Sequence, residues 1–256
     1  MSLRSLSFVA LEGIPEVEPG MPLAPLITAA LERRSYAVDE NDVLLVCQKV
    51  VSKSENRFVD LASVVVSDRA QDLAMRCGKD PRLVEVILRE SSDVVRCAPQ
   101  VLIVRHRLGF VMANAGVDQS NVPHSASRVL LLPADPDKSA AALRDSLSRA
   151  MGSSPAVVIT DTFGRPWRLG VCGTAIGASG MVTLLDRRGE RDRFGRELKV
   201  TQVAIADSIA AAATLLMGEA DEGRPVVLAR GLPRTWRSDG ARAAQLLRPL
   251  ADDLFR

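Results

Sequence analysis

Aromatic residues, histidine and cysteine are scarce in this sequence. Phe, Trp and Tyr make up 4% of the 256 residues, so a core must be built mainly from Val, Leu, Ile and Ala. The four cysteines form no CxxC pair and there are only two histidines, which is a poor set of ligands for a zinc site. We expect the cysteines to be free thiols in a reducing compartment. They are Cys47, Cys77, Cys97 and Cys172.

Long apolar runs and a strong excess of one charge are absent as well. No run approaches the ~20 apolar residues of a membrane-spanning helix, and no signal peptide is visible at the amino terminus. We therefore expect a cytoplasmic protein with no membrane partner. The 33 basic and 31 acidic residues give a net charge of +2, which argues against a dedicated nucleic-acid-binding protein. The local basic patch Arg187–Arg193 remains a candidate anion site.

The common signatures of nucleotide sites are missing. There is no G-x-x-x-x-G-K-[ST] loop, and Gly173, Gly177 and Gly180 do not have the spacing of a G-x-G-x-x-G fingerprint. A nucleotide bound here would need metals, basic side chains and backbone amides in a less common arrangement. His106 and His124 have no Ser or Cys partner recognisable in the sequence, so a histidine-based triad is unsupported.

The pattern of apolar residues predicts a mixture of strands and helices. Short apolar runs predict strands at Phe8–Leu11, Val43–Val46, Val101–Val104, Phe110–Ala113, Val129–Leu132, Ala156–Thr160 and Pro225–Ala229. Helical spacing and capping residues predict helices at Pro22–Arg34, Ser67–Cys77, Pro81–Glu90, Pro136–Met151, Val200–Met217 and Asp239–Leu254. The glycine-rich stretch Asp161–Gly180 is predicted to be a loop.

The order of these elements favours an α+β fold. Strands and helices do not alternate strictly, and several strands follow one another directly, which indicates mixed, largely antiparallel sheets with flanking helices. We assign residues 1–256 to one domain, with a subdivision near residues 152–155 left open.

Two segments place a carboxylate just after a predicted strand. In Asn114–Val122, Asp118 could bind Mg²⁺ or Mn²⁺ and Asn121 could bond a base or a phosphate, unless both only satisfy an Asx-type turn. Asp161 and Thr162 emerge together from a second strand, where an Asp can hold a metal that bridges phosphates. The alternative there is an Asp that caps the following turn.

Basic and polar residues near other strand ends are further candidates. Arg165 and Arg168 could clamp a phosphate or carboxylate, or lie on a solvated face. Lys49 and Lys53 follow the strand Val43–Val46, and Val50–Ser54 resembles a strand exit. Lys53 could neutralise a triphosphate, although most lysines are merely solvated.

Gln202 and Asp207 stand near the start of the helix predicted over Val200–Met217, where polar groups can face a site. Asp207 could equally stabilise the first turns of that helix through its dipole.

Eight short motifs in a fixed order resemble the family of coenzyme F-420-0:L-glutamate ligases, also called gamma-glutamyl ligases. One motif would be weak, but the ordered set is specific and extends from about Leu11 to Leu232. The motifs are Glu12–Pro15, Val50–Lys53, Asn114–Asn121, Thr160–Arg165, Ala175–Gly177, Gly195–Leu198, Leu216–Glu219 and Arg230–Gly231. Ser54 and Asn56 depart from the family pattern, which more often has Ala and Gly at these positions.

The resemblance implies a GTP-dependent ligase that joins L-glutamate to coenzyme F-420-0. A phosphoryl group would pass from GTP to a carboxylate of this phospholactyl-deazaflavin, and the amino group of glutamate would attack the acyl phosphate. Further glutamates could join through gamma linkages. The family also implies two divalent cations, Mg²⁺ or Mn²⁺, with a monovalent cation left open, and a homodimer. The nitroreductase-like domain of some relatives is not expected here.

The resemblance also assigns roles to particular residues. Asp161, Lys53 and Arg165 are expected to act in catalysis. The predicted metal ligands are Asp118, Asp161, Thr162 and Gln202. The residues predicted to contact GTP are Ile14, Pro15, Glu16, Val17, Gln48, Lys49, Lys53 and Asn121. The competing hypotheses are a metal-dependent phosphotransferase or phosphatase, and a non-catalytic protein that binds a nucleotide or deazaflavin.

Overall fold

A computed structural model describes residues 5–123 and 126–253. Its α-helices are α1 (Leu23–Arg33), α2 (Gln48–Ser54), α3 (Asp68–Cys77), α4 (Pro81–Arg89), α5 (Pro136–Met151) and α6 (Ile205–Met217). The first strands are β1 (Ser7–Leu11), β2 (Val43–Cys47), β3 (Phe58–Asp60), β4 (Ser91–Ala98), β5 (Val101–His106), β6 (Val111–Ala113) and β7 (Arg128–Leu130). The later strands are β8 (Ala156–Arg165), β9 (Arg168–Met181), β10 (Leu184–Asp186), β11 (Gln202–Ala204), β12 (Val226–Arg230) and β13 (Arg237–Ser238).

A six-stranded sheet with the order β1-β12-β2-β8-β9-β13 forms the centre of the described chain. β2 and β8 run parallel, with Val43–Cys47 in register with Ala156–Thr160, whereas the other neighbours in this sheet are antiparallel. The smaller sheets are β4-β5-β6, β3-β7 and β10-β11. The predicted α+β class with mixed, largely antiparallel sheets is therefore confirmed.

The central strand β2 is buried on both faces. Leu44 and Val46 share a core with residues of α1 and α5, whereas Val43 and Leu45 share a second core with residues of α6. Because side chains alternate across a strand, a strand covered on both faces needs an unbroken apolar run. The two-sided burial of β2 therefore explains the run of four apolar residues, Val43–Val46, in the sequence.

A second layer consists of α3 and α4 packed against the sheet β4-β5-β6, around its own apolar core. Ser67 caps α3 by accepting a hydrogen bond from the amide of Ala70 at 3.2 Å, and Gly78 ends the helix with a φ of 68°. Both residues match the predicted ends of this helix. A serine cap and a left-handed glycine satisfy backbone groups that the helix itself leaves unpaired.

Two glycines allow β9 to pack against helices at very short range. A Cβ at Gly173 would lie 2.4 Å from the carbonyl oxygen of Ala210 in α6, and one at Gly177 would lie 2.3 Å from that of Pro136 in α5. The loop predicted over Asp161–Gly180 is therefore wrong, since these residues form most of the β8–β9 hairpin. Glycine here serves close packing and does not mark a turn.

Other predicted elements need correction. Val50–Ser54 belongs to α2 and is not a strand exit, β4 was not predicted, and residues 200–204 precede α6 instead of forming its start. Segment 239–253 contains the short 3₁₀ turns Ala243–Leu246 and Leu250–Asp252, so the terminal helix predicted from Asp239 is wrong over the described residues. Pro249 removes an amide donor and interrupts a continuous helix.

Three other features complete the comparison with the sequence. Residues 152–155 join α5 to β8. His124 lies outside the described residues. None of the helices in the described ranges is long and apolar enough to cross a bilayer.

Candidate active site

A cavity of about 420 Å³ opens at the carboxyl ends of the parallel strands β2 and β8. Side chains that leave two neighbouring parallel strands at the same edge of a sheet lie close together, and such edges commonly bind ligands. The cavity is lined by parts of five segments, which are residues 14–17, 47–53, 118–121, 160–162 and 214–225.

Helix α2 brings both candidate lysines to this cavity. It begins directly after β2, so Lys49 and Lys53 lie one helical turn apart and face the same side. The Lys53 side chain is 6% exposed, and its ammonium group forms an ion pair with the carboxylate of Glu16. A buried lysine with a single exposed partner can exchange that partner for another anion at little cost.

The Asp118 loop is anchored by backbone pairing. The amide of Asp118 donates to the carbonyl of Leu130 at 3.0 Å, and the amide of Leu130 donates back at 2.9 Å. The turn before it places Asn114, Ala115 and Gly116 at positive φ, which explains the small residues of this motif. The sequence pattern therefore marks a rigid loop as well as a carboxylate.

Lys49 is bound entirely by this loop. Its ammonium nitrogen lies 2.8 Å from Oδ2 of Asp118 and also donates to the hydroxyl and the carbonyl of Ser120. Burial alone would raise the pKa of Asp118, but hydrogen bonds from Lys49 and Ser120, with the Lys49 charge, hold it below its ordinary value. Asp118 is therefore ionised at neutral pH.

Asp161 lies within β8, directly after Thr160, the last residue that pairs with β2, and it lines the same cavity. Its environment is the opposite of that of Asp118. Burial raises the pKa of Asp161 to about 7, with a further increase from the negative charges of Asp118 and Glu219. A hydrogen bond from the backbone of Thr162 and the charge of Lys49 only partly offset these effects. The site is therefore short of positive charge around Asp161.

Asp207 supports the strand that pairs with this part of β8. Its Oδ1 accepts a hydrogen bond from the amide of Ala175 at 2.9 Å, and Ala175 pairs with Thr160 at a β-bulge. Bulges change the direction in which nearby side chains point. The Asp207 carboxylate thus binds a backbone amide of β9, beyond the helix-dipole role considered from the sequence.

Glu219 is a cavity residue that the sequence interpretation assigned no role. It lies in the loop after α6, where its Oε2 accepts a hydrogen bond from the hydroxyl of Thr162 at 3.2 Å. Glu219 is the last residue of the motif Leu216–Glu219, but nothing in that motif indicates which strand its side chain contacts. Asn121 joins the same loop, because its side-chain amide donates to the carbonyl of Ala220 at 2.9 Å.

The structure brings most of the predicted site residues together. Those that line the cavity are Ile14, Pro15, Glu16, Val17, Lys49, Lys53, Asp118, Asn121, Asp161 and Thr162. Gln48 is buried and accepts a hydrogen bond from Ser52 at 2.9 Å, so its side chain supports α2 from behind.

Two predicted residues lie away from this cavity. Arg165 is exposed near the tip of the β8–β9 hairpin. Gln202 is exposed on β11, where its side-chain amide donates to Asp186 at 3.4 Å. Within the basic patch Arg187–Arg193, Arg187 and Arg188 form ion pairs with nearby acidic residues.

The cavity also contains a cysteine, Cys47, at the end of β2. Burial raises the pKa of its thiol to about 11, so it stays protonated near neutral pH. A protonated, buried thiol is a poor nucleophile.

The donor atoms suit a hard divalent cation. Asp118, Asp161 and Glu219 supply carboxylates and Thr162 supplies a hydroxyl, which are the oxygen donors that Mg²⁺ and Mn²⁺ prefer. In the described part of the chain, no three His, Cys, Asp or Glu side chains are already close enough to hold an ion together. The raised pKa of Asp161 means that ionisation of this carboxyl is disfavoured in the ligand-free protein, and a nearby cation would lower that pKa.

Comparison of the sequence with known proteins gives matches to a single family. A family model described as F420-0:Gamma-glutamyl ligase matches residues 13–231. A protein of Methanopyrus kandleri named coenzyme F420:L-glutamate ligase is 48% identical over 259 residues, which cover 99% of this chain and 100% of the relative. Relatives of the same name from Methanothermobacter thermautotrophicus and Haloarcula marismortui are 44% and 40% identical and cover 98% and 96% of this chain, and 99% and 94% of their own length.

Proposed function

The chain belongs to the F420-0:gamma-glutamyl ligase family and is a ligase that forms an amide bond, and from this premise we propose that GTP drives its reaction through an acyl phosphate. The acceptor would be a carboxylate of coenzyme F420-0, and the amine would be that of L-glutamate. Repeated cycles could extend a gamma-linked glutamate tail.

One observation carries this proposal: two lysines and six acidic residues, drawn from separate segments of the chain, line one cavity. Lysine ammonium groups attract phosphates, whereas carboxylates repel them unless cations lie between. A site that contains both suits a nucleotide triphosphate bound together with metal ions. A site that binds only an anion would not need the carboxylates, and a site that binds only a cation would not need the lysines.

In the proposed complex, Lys53 exchanges Glu16 for a phosphate oxygen. Glu16 is 63% exposed on its side chain, so water can take over its solvation when the ion pair opens. Lys53 is nearly fully buried, so its charge acts in a region of low dielectric. This charge would stabilise the phosphoryl group as it leaves the nucleotide.

The proposed cation ligands are Asp118, Asp161 and Thr162, with Glu219 in place of Gln202. Glu219 is chosen because it already contacts Thr162 and lines the cavity. Bound Mg²⁺ or Mn²⁺ would neutralise the triphosphate and polarise its γ-phosphoryl group. The protein's own task is to hold these oxygens in place, and the charge of a bound cation would favour the ionised form of Asp161.

The proposed reaction has two balanced steps. A carboxylate oxygen of F420-0 bonds to the γ-phosphorus of GTP as the bond to the β-phosphate oxygen breaks, which releases GDP. The amine of glutamate then attacks the acyl carbon, loses a proton to solvent and displaces phosphate. The chain contributes positioning to both steps, and effective molarities of ~10⁵ M or more are attainable in this way.

We also propose that the protein acts as a homodimer. Three exposed apolar side chains lie close together in sequence on the β8–β9 hairpin, where Trp167, Leu169 and Val171 are 89%, 99% and 53% exposed. Clustered exposed apolar residues are typical of association surfaces. Light scattering after gel filtration tests this, and a monomeric mass at micromolar concentration would contradict it.

The test is a reaction of the protein with GTP, Mn²⁺, L-glutamate and coenzyme F420-0. Mass spectrometry should detect a product heavier by one or more glutamyl units, together with GDP and phosphate in proportion. Asp161→Asn is the control, and it should be inactive while remaining folded. Phosphate release that ignores glutamate and F420-0 would favour a phosphotransferase or phosphatase, and GTP binding without turnover would favour a binding protein.

A further inference from the structure

A buried cluster of charges lies outside the cavity, at the end of α4. Glu90 is 8% exposed on its side chain, and its Oε2 accepts hydrogen bonds from Arg57 and Arg107, each at 3.0 Å. Nε2 of His106 lies 3.6 Å from the same oxygen. Three basic side chains around one carboxylate oxygen exceed what is needed to neutralise a single charge.

Arg57 connects this cluster to the helix that carries the lysines. Its amide donates to the carbonyl of Ser52 at 2.9 Å, and the amide of Asn56 donates to that of Lys53 at 3.0 Å. Arg57 therefore stands directly on the last turn of α2. A shift of its backbone would move that turn.

Arg57 also holds the segment that anchors Asp118. Its Nε donates to the carbonyl of Leu132 at 2.8 Å, and its own carbonyl accepts from the amide of Leu131 at 3.0 Å. The preceding residue, Leu130, exchanges both backbone hydrogen bonds with Asp118. One arginine thus joins the two segments that carry opposite charges into the cavity.

We propose that Glu90 is a positioning residue of the active site, because it fixes the Arg57 guanidinium at the joint between α2 and the Asp118 loop. This inference rests on the proposed function for its consequence, since the spacing of the lysines from Asp118 would set how a metal-bound triphosphate fits. Glu90 itself touches neither lysine nor the Asp118 side chain in the described contacts.

Arg107 provides a matched control. It makes an equally short bond to the same oxygen of Glu90, but its other contact is its own amide donating to the Glu90 carbonyl at 2.9 Å. The Arg107 side chain is also 48% exposed. When Arg107 is replaced, water can therefore enter its place and solvate the charge of Glu90. A purely structural role of the cluster should make Arg57→Met and Arg107→Met differ only in stability.

The first experiment is amide hydrogen exchange of the ligand-free full chain for Glu90→Gln, Arg57→Met and Arg107→Met, compared at equal free energy of unfolding in urea. Exchange at the amides of Asp118, Leu130 and Arg57 should rise about tenfold or more in the first two variants, as expected when a hydrogen bond to a charged group is lost. Arg107→Met should leave these amides protected. Equal protection in all three variants, or equal loss in all three, would overturn the positioning role.

The second experiment measures binding of Mn²⁺ with GTP by calorimetry. Glu90→Gln and Arg57→Met should each weaken binding by about 10–100-fold, and the double variant should be no weaker than either single variant. Arg107→Met should bind as the wild type does. Wild-type protein that binds no GTP would reject the proposed function, whereas the exchange experiment decides the role of Glu90 independently. If Glu90→Gln does not fold, the comparison of Arg57→Met with Arg107→Met decides it.

Discussion

Replacing Asp161 with asparagine should stabilise the ligand-free protein while abolishing its activity. The pKa of Asp161 is raised to about 7 by burial and by nearby carboxylates. Asparagine has a similar shape and carries no charge, so it removes the cost of ionising this position. Residues that bind cations are commonly unfavourable for stability until the cation arrives.

The magnitude follows from the pKa. A rise of about three units above the ordinary value of an aspartic acid corresponds to about 4 kcal/mol between the two protonation states. Relaxation of the site and entry of water reduce this, so we expect a gain of about 1–4 kcal/mol at pH 8. Each kcal/mol should raise the melting temperature by about 2–4 °C in a domain of this size.

The difference in stability between the wild type and Asp161→Asn should depend on pH. Below about pH 4, Asp161 is protonated in both the folded and the unfolded wild type, so it costs nothing. As the pH rises from there to about 7, the unfolded state loses its proton first, and the wild type loses stability that the asparagine variant keeps. The difference between the two proteins should therefore be small near pH 4, grow up to about pH 7 and then level off.

The assay is urea unfolding of both proteins at several pH values in a chelating buffer. Asp118→Asn is the matched control with the opposite sign, because its pKa is lowered by Lys49 and Ser120 and its loss should destabilise the protein at neutral pH. Added Mn²⁺ should stabilise the wild type and leave Asp161→Asn unchanged. An Asp161→Asn variant that is less stable than the wild type at pH 8 would refute the reasoning.

Two further expectations concern side chains of the cavity and two concern backbone geometry. Lys53→Met should lower turnover by about 10²–10³-fold in a phosphate-release assay, because a charge beside the developing phosphate is lost. Glu219→Ala should weaken Mn²⁺ binding in calorimetry, and unchanged affinity would return Gln202 to the ligand set. Asn56→Ala should cost about 1 kcal/mol in urea unfolding, because φ is 53° at this position, whereas Asn56→Gly should be tolerated. Gly177→Ala should cost about 1–3 kcal/mol, because its Cβ would meet the backbone of α5.

The sequence predicts those elements best whose ends carry their own chemical signals. α5 has the predicted bounds, because Asp135 accepts a hydrogen bond from the amide of Lys138, Pro136 takes the first helical position and Gly152 ends the helix with a φ of 70°. Such signals are local and need no knowledge of the rest of the fold.

The errors arise where distant packing decides the structure. The glycines of β9 are required by helices that lie far away in the chain, so glycine content alone gave the wrong prediction of a loop. Asn56 shows the reverse case. Its φ of 53° lies in the left-handed region, which asparagine tolerates better than most residues, so the residue type fits the backbone at this position.

The composition of the candidate site was only partly predictable for the same reason. The sequence placed the pair Lys49 and Lys53, Asp118 and Asp161 in three separate segments. The parallel pair of β2 and β8 explains why the lysines meet Asp161, whereas pairing with Leu130 holds Asp118. The contribution of Glu219 depends on where the loop after α6 returns to the sheet, which no local pattern encodes.

The position of β12 between β1 and β2 affects how the protein folds during its synthesis on the ribosome. β2 pairs with β12 on one side and with β8 on the other. The central sheet beside the cavity is therefore incomplete until residues 226–230 have left the ribosomal exit tunnel. Contacts between such distant segments form slowly. A nascent chain should thus complete this sheet late, and its apolar strands stay exposed until then.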